Sequence, residues 1–496
     1  MIICSYYSVC MNKKLRNNKK IMKLLKGVSH MGNELKKKYG LITAICMVVG
    51  IVIGSGVFFK AGKVMNSNDG NMAKSLLTVA IVGAIMIVCS YVFSILAQRH
   101  EKVNGIVDYA EVACGPLYAY GVGWFMTTIY YPTLTACLAW ISAQYTCTLF
   151  GWSPASDLHL VVAAFYLIAG YAVNALSPKL AGKFQVSCTF IKLVPLVAMA
   201  IVGTIAGLIN GKTIDAFANP PTLLPGTGSS GGILAAVVAF AFAYEGWIIA
   251  TSINAELKDS KKNLPRALIL GSLIVVAVYL TYFLGLTGAL KADEIMQAGD
   301  DLPKKAFSAL FGSPVFGTIA YVFIIISCLG TMNGLMLGCC RGMYSIAVRN
   351  QGPARKIFAQ VDKETNMPTN SSIFGLILCA LWMLQWELGL IQGILPDIIA
   401  WENDELPIIT LYAAYIPIFI VMMIRARDLS PAKRFVMPAL AILCCCFMVY
   451  AAISSYSIQA LYYIILFAVI LGIGLLFYRN AEDKTILNRI FSSSKK

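Results

Sequence analysis

The stretch GIVIGSGVF, Gly50 to Phe58, places three glycines and a serine within seven positions of an apolar run. Glycine inside a helix is worse than alanine by about 1 kcal/mol. The run therefore reads as a membrane helix that opens at its centre. Irregular backbone at membrane depth is tolerated only when it is buried in protein or lines a cavity. With Gly54, Ser55 and Gly56 in succession, the freed N–H groups lie at the start of a second half-helix. A helix N-terminus carries about half a positive charge and suits a carboxylate. Glycine also lets a ligand reach the backbone without meeting a Cβ. A close helix–helix contact of small residues explains the same composition, and the stretch alone leaves both open.

The surroundings agree with a membrane helix. Of 496 residues, 58% are hydrophobic and 13% charged, whereas soluble domains carry about 25% charged residues. A spanning helix needs about 20 apolar residues, and such runs recur near 41–64, 75–97, 117–147, 159–176, 186–209, 233–255, 267–289, 314–345, 371–388, 406–424, 435–454 and 459–478. The expected fold is an all-α integral membrane protein of twelve transmembrane helices. The net charge of +16 does not indicate nucleic acid, because its distribution is one-sided. With the N-terminus in the cytoplasm, 32 of the 40 Lys and Arg fall in the tails or cytoplasmic loops. Seven (Lys60, Lys63, Lys74, Lys212, Lys291, Lys304, Lys305) fall on the other side, counting span ends with the face they reach, and Lys192 falls well inside a span. This positive-inside bias places both termini in the cytoplasm of a multi-pass plasma-membrane protein.

The 15 cysteines lie mostly in apolar runs and show no ligand spacing with the three histidines, His30, His100 and His159. No metal, cofactor or disulfide framework is implied, and three scattered histidines supply no catalytic set, so an enzyme is not expected. The Lys-rich segment 1–40 has no apolar signal core and reads as a tail in water or at the lipid surface. Residues 41–478 form one transmembrane domain: a first repeat at 41–209, a second at 233–424 and two extra helices at 435–478. Residues 479–496 form a second cytoplasmic tail.

A second interruption appears in the sixth span, GGILAAVVAFAFAYEGWIIATSINAEL (231–257), where Glu245 and Gly246 stand in mid-run. Transporters built from inverted five-helix repeats put a discontinuous helix first in each half, and spans one and six are those positions. A break around Phe242–Gly246 ends the first half-helix in unpaired carbonyls, which suit an ammonium. A carboxylate site facing an ammonium site describes an α-amino acid.

GIVIGSGVF, FAYEGW and the following AELKDSKKNLPRA resemble the amino acid–polyamine–organocation superfamily of transporters. The similarity extends to GPLYAYGVGW in span three, TFIKLVPL in span five and SCLGTMNGLMLGCCRGMYSIAVRNQGP in span eight. It runs from about Tyr39 to Arg427 and is closest to the L-type amino acid transporter branch and bacterial amino acid permeases. The resemblance implies that the amides of Ser55, Gly56 and Val57 take the substrate carboxylate. Carbonyls of Val52, Phe242, Ala243 and Glu245 would take the ammonium, and the Phe242 ring would act as a gate. Some animal relatives need a single-span partner joined by a disulfide in the loop after span three. Here Cys147 lies inside the span end, so no obligate protein partner is expected.

Lys192 is the sharpest single residue. A lysine at the centre of a span costs about 2.5–3.5 kcal/mol on insertion scales. The resemblance implies that its ammonium replaces a sodium ion near the opened first helix, hence sodium-independent transport. A fixed charge bracing spans one and eight is the alternative. Glu245 departs from the family's usual aspartate or small residue, and either attracts a cationic substrate side chain or bonds to the opened backbone. Trp247 is read as packing. Asp108 and Glu111, near an Asn104–Gly105 pair where the family has Gly-Gly, are read as loop architecture, and Arg341 and Arg349 as anchors. Glu402, Asp404 and Glu405 are expected to face solvent in an outer loop. A side chain at Gly56 is expected to block binding without disturbing the fold. The functional expectation is a secondary amino acid transporter working by alternating access, as exchanger or proton symporter. The alternatives are a polyamine or cationic amino acid transporter and, in another class, a channel or receptor.

Overall fold

The computed structural model describes residues 40–100, 105–153, 157–221, 232–365 and 367–479. Both expected tails, and Asn104, lie outside the described residues except for Gly40 and Arg479. Among the described residues, eleven helices are long and apolar enough to cross a membrane. The remaining crossing is the third, a continuous helical stretch from Pro116–Phe125 through a wide turn at Met126–Tyr130 to Tyr131–Phe150.

The third helix is polar for a span because it hardly meets lipid. Most of its residues from Met126 to Cys147 are buried against other helices. Its threonine and serine hydroxyls are satisfied within the helix. Thr127, Thr128, Thr133, Thr135, Ser142 and Thr146 each bond the carbonyl four residues back, at 2.7 to 2.8 Å. With no water in the bilayer core, this local back-bonding is how hydroxyls are carried there.

The remaining crossings follow the expected order, and several extend beyond their apolar cores. The fifth begins at Pro178 rather than near 186, and the seventh at Ser260 rather than near 267. Backbone hydrogen bonding does not stop where the apolar residues stop, so the charged ends continue as helix into the interface. Spans one and six are the interrupted ones. The first runs Leu41–Val52, breaks, and resumes as Gly56–Phe59 and Ala61–Ser67. The sixth runs Gly232–Ala241, tightens at Phe242–Tyr244, and resumes at Trp247.

Around these breaks the other helices form a scaffold fixed by close backbone contacts. Spans five and seven cross at Gly203, Gly285 and Gly288. A Cβ on Gly285 would lie 2.1 Å from the Met199 carbonyl oxygen, and one on Gly288 would lie 1.8 Å from that of Gly203. No side-chain adjustment relieves a clash with backbone. We therefore expect Gly285→Val to destabilise the protein by at least about 2 kcal/mol, read as a lower melting temperature of the purified protein. Gly472→Ala, inside the helix Ile458–Leu476 where nothing lies within 4 Å of the new carbon, should hold or raise the melting temperature, since alanine is favoured there by about 1 kcal/mol.

Candidate functional site

At the first break the chain leaves the helix at Ile53, which is extended (φ −72°, ψ 100°), although its N–H still bonds Val49 O at 2.9 Å. Ser55 then starts the second half-helix. Its carbonyl accepts from the N–H groups of Phe58 and Phe59 at 2.9 and 2.8 Å. Helix geometry leaves the first amides of that half-helix without intrahelical acceptors.

The carbonyls stranded at the break are met by side chains. Lys192 Nζ donates to Gly50 O at 2.6 Å, to Ile53 O at 2.5 Å and to Thr331 Oγ1 at 3.2 Å. Thr331 Oγ1 also donates to Ile53 O at 3.2 Å, and Ser327 Oγ donates to Gly54 O at 3.0 Å. Lys192 itself is wholly buried. Hydrogen bonds to a charged group contribute about 1.5–3 kcal/mol each, enough to offset the insertion penalty of the lysine.

The sixth span opens differently. Glu245 is extended (φ −85°, ψ 164°) and Gly246 has φ +99°, a conformation other residues rarely adopt. Glu245 is buried and accepts from the Tyr130 hydroxyl at 2.6 Å through Oε1. Its Oε2 is buried without a hydrogen-bond partner among the described residues. Of the two readings of this carboxylate, bonding to the opened backbone holds in part: the Gly246 N–H at the break bonds it alongside the Tyr130 hydroxyl of the third span. Trp247 is buried between Phe93 and Tyr415, ring centroids 5.7 and 5.9 Å away.

The two breaks touch. A Cβ on Gly56 would lie 2.4 Å from Ala243 Cα and 3.0 Å from Ala243 N. Gly56 is thus small because backbone of the sixth span passes over it, and a side chain there disturbs the fold as well as any ligand. This corrects the expectation of a purely local block. Tyr279 of the seventh span joins the same place. Its hydroxyl donates to Ala243 O at 2.9 Å and approaches Val52 O at 3.4 Å.

A small cavity of about 20 Å³, room for about one water, lies between the breaks. Val52, Gly54, Ser55, Gly56, Phe242 and Glu245 line it, with Leu134, Leu138, Thr331 and Leu335. Val57 and Ala243 are buried next to it rather than on its wall, and Lys192 reaches the break from behind. Sequence reasoning missed Tyr130, Tyr279, Ser327 and Thr331. Thr331 and Ser327 lie in the span-eight motif, but the tyrosines stand in unremarkable apolar runs. Asp108 pairs with Arg349, so loop and anchor hold each other. The expectation for the outer acids fails: Asp404 and Glu405 are wholly buried, and Glu402 is half-buried.

The distances predict a graded response. Gly56→Ala should lower the melting temperature and abolish ligand binding together, because its clash is with backbone. Gly54→Ala should be milder, since its new carbon meets side chain rather than backbone, Thr331 Oγ1 at 3.0 Å, and a shift of a few tenths of an ångström relieves it. Melting curves and ligand-binding isotherms on both purified variants check this.

Residues 39–486 match the family described as amino acid permease. The serine/threonine exchanger SteT of Bacillus subtilis (strain 168) is 29% identical over 403 residues, 81% of this chain and 86% of that protein. The b(0,+)-type amino acid transporter 1 of Homo sapiens is 28% identical over 471 residues, 94% of this chain and 92% of the relative. The human large neutral amino acids transporter small subunit 2 is 27% identical over 354 residues, 68% and 62% of the two chains. Two broken spans, a cavity between them and a match over nearly the whole length lead to one statement: the chain belongs to the amino acid permease family, a family of transporters and not of enzymes.

Proposed function

We propose that the protein exchanges α-amino acids across the plasma membrane by alternating access, without sodium. The observation that carries this reading is the Lys192 ammonium among the oxygens of Gly50, Ile53 and Thr331. Backbone carbonyls converging on a point at membrane depth are a cation site. Here a covalently attached cation occupies it, and a second positive charge at the same oxygens is repelled. Amides of Ser55, Gly56 and Val57 hold the substrate carboxylate. The ammonium is held by carbonyls of the sixth-span break and of Val52, with Phe242 as the gate. The cavity is too small for an amino acid as it stands, so binding requires one side to open and the other to stay shut.

Exchange is favoured over net uptake by the likeness to the Bacillus relative, a serine/threonine exchanger. The positive-inside bias supports cytoplasmic termini and puts the second half-helix of span one on the outer face. We propose that the transporter works without an obligate partner. Cys147 is buried inside the third span and the loop after it, 151–156, has no cysteine. A second reading, preference for a cationic side chain, is favoured by the unpartnered Oε2 of Glu245 beside the cavity. A polyamine is disfavoured, because it brings no carboxylate to the amides of span one.

Purified protein in liposomes tests this. Labelled amino acid should enter faster when the vesicles are preloaded with unlabelled amino acid, and replacing sodium by choline should change nothing. Lys192→Met should lower uptake at least about tenfold, since each buried acceptor left unmet costs about 1–3 kcal/mol. Strict sodium dependence, or indifference to preloading, overturns the proposal. If lysine and arginine compete, Glu245→Gln should remove their competition and spare that of neutral amino acids.

A further inference from the structure

Where the first span reaches the face away from its N-terminus, charges are buried that the transport reading leaves unused. Lys60, at the turn between Gly56–Phe59 and Ala61–Ser67, has a side chain 2% exposed. Its Nζ lies 2.6 Å from Asp404 Oδ2, 2.8 Å from Glu405 Oε1 and 4.0 Å from Glu402 Oε2. Lys63, one turn on, lies 2.8 Å from Glu405 Oε1 and 3.1 Å from Glu402 Oε1. From the end of the eleventh span the Tyr456 hydroxyl donates to Glu405 Oε2. The group thus ties the second half-helix of span one to the segment before span ten and to span eleven. Lys60 Nζ also sits 5.9 Å from the centroid of Phe242, the aromatic ring on the cavity wall.

The charges do not balance. Three carboxyls face two ammoniums, so full ionisation would bury one surplus negative charge. An uncompensated buried charge is penalised by several kcal/mol, and a group in that position neutralises itself instead. The three carboxyls are not equivalent. Glu405 has both lysines and Tyr456. Glu402 has a side chain 28% exposed, within reach of water. Asp404 has one lysine, is wholly buried, and its Oδ1 has no hydrogen-bond partner among the described residues.

The groups facing Asp404 are Lys60 and Lys63 of the half-helix, Glu402 and Glu405 of its own segment, Tyr456 of span eleven and Cys137 of span three. Asp300 adds a further carboxyl near Lys60. Burial pushes the Asp404 carboxyl up to about 7, against the pull of Lys60 and with the push of Glu402 and Glu405. Burial works the same way on Glu405, but there Lys60 and Lys63 prevail and hold it at about 2.

We propose that Lys60, Lys63, Glu402, Asp404, Glu405 and Tyr456 form a latch that shuts the outer side of the cavity and takes up one proton, on Asp404, as it closes. The proposal deepens the transport reading and rests on it for the membrane face the latch occupies. When the half-helix swings away from span ten, water reaches the carboxyls. Asp404 returns to ordinary acidity and gives its proton to the solution. The closed form holds one proton more than the open form between the ordinary carboxyl range and about pH 7. Closure is therefore favoured as pH falls through that window and weakens as pH rises through it.

Hydrogen–deuterium exchange on the purified full-length protein tests the latch without any substrate, so it stands or falls apart from amino acid transport. At equal intrinsic exchange, opening of 56–67 and 402–409 should increase up to about tenfold per pH unit between about pH 5 and about pH 7. Asp404→Asn, neutral at every pH, should keep both segments protected across that range. Lys60→Gln should expose both throughout. Should Lys60→Gln unfold the whole protein, Lys63→Gln decides, because that side chain is 40% exposed and its loss spares the core. Raised exchange confined to the two segments supports the latch. A pH response of Asp404→Asn equal to that of the unaltered protein, or unchanged 56–67 in Lys63→Gln, overturns it.

Discussion

An ammonium held by the carbonyls of Gly50 and Ile53 is what lets the first span break inside a membrane. Lipid offers no hydrogen bonds, so every backbone group released by a broken helix needs a partner within the protein. Lys192, Thr331, Ser327 and Tyr279 meet the carbonyl side of the requirement at the two breaks. The first amides of the second half-helix, from Ser55 on, have no intrahelical acceptors, and in the proposed reading it is the substrate carboxylate that meets them.

The same accounting explains what could be read along the chain and what could not. The breaks at Gly54–Gly56 and Glu245–Gly246 were legible because glycine is the signature of backbone that departs from a helix, and because they begin corresponding halves. Lys192 was legible because a charge in a span is rare. Tyr279 was not legible, since one tyrosine in an apolar helix looks like packing until a carbonyl is found within 2.9 Å of it. The acids at 402–405 were placed in water because a cluster of like charges in a loop normally is. Their partners, Lys60 and Lys63, lie about 340 residues earlier, and no local pattern announces an ion pair across that separation. Span limits were legible only for the apolar cores, because helices continue where hydropathy has already fallen.

Two supports thus act on the first span from opposite sides of its break. Lys192 holds the break to spans five and eight, and its bonds end on backbone that must remain broken whichever face is open. The charges around Lys60 hold the second half-helix to the segment before span ten. Gly56 packs directly against Ala243, so the half-helix and the Phe242 region share a backbone contact. A displacement at Lys60 is thereby felt at the cavity wall through both backbone contact and the ring of Phe242.

A moving part of this kind has to be held weakly enough to release. A bundle of fully matched, fully dried ion pairs breaks with a penalty of several kcal/mol for each partner left behind, which would freeze one face shut. Alternating access needs two arrangements separated by only a few kcal/mol. Unequal numbers of acids and lysines serve that end. The surplus carboxyl makes the closed arrangement incomplete unless a proton joins it, and the half-exposed Glu402 and Lys63 give water a route back to the buried pair. The outer closure is poised not because its contacts are poor, but because one of its charges must be supplied by the solution.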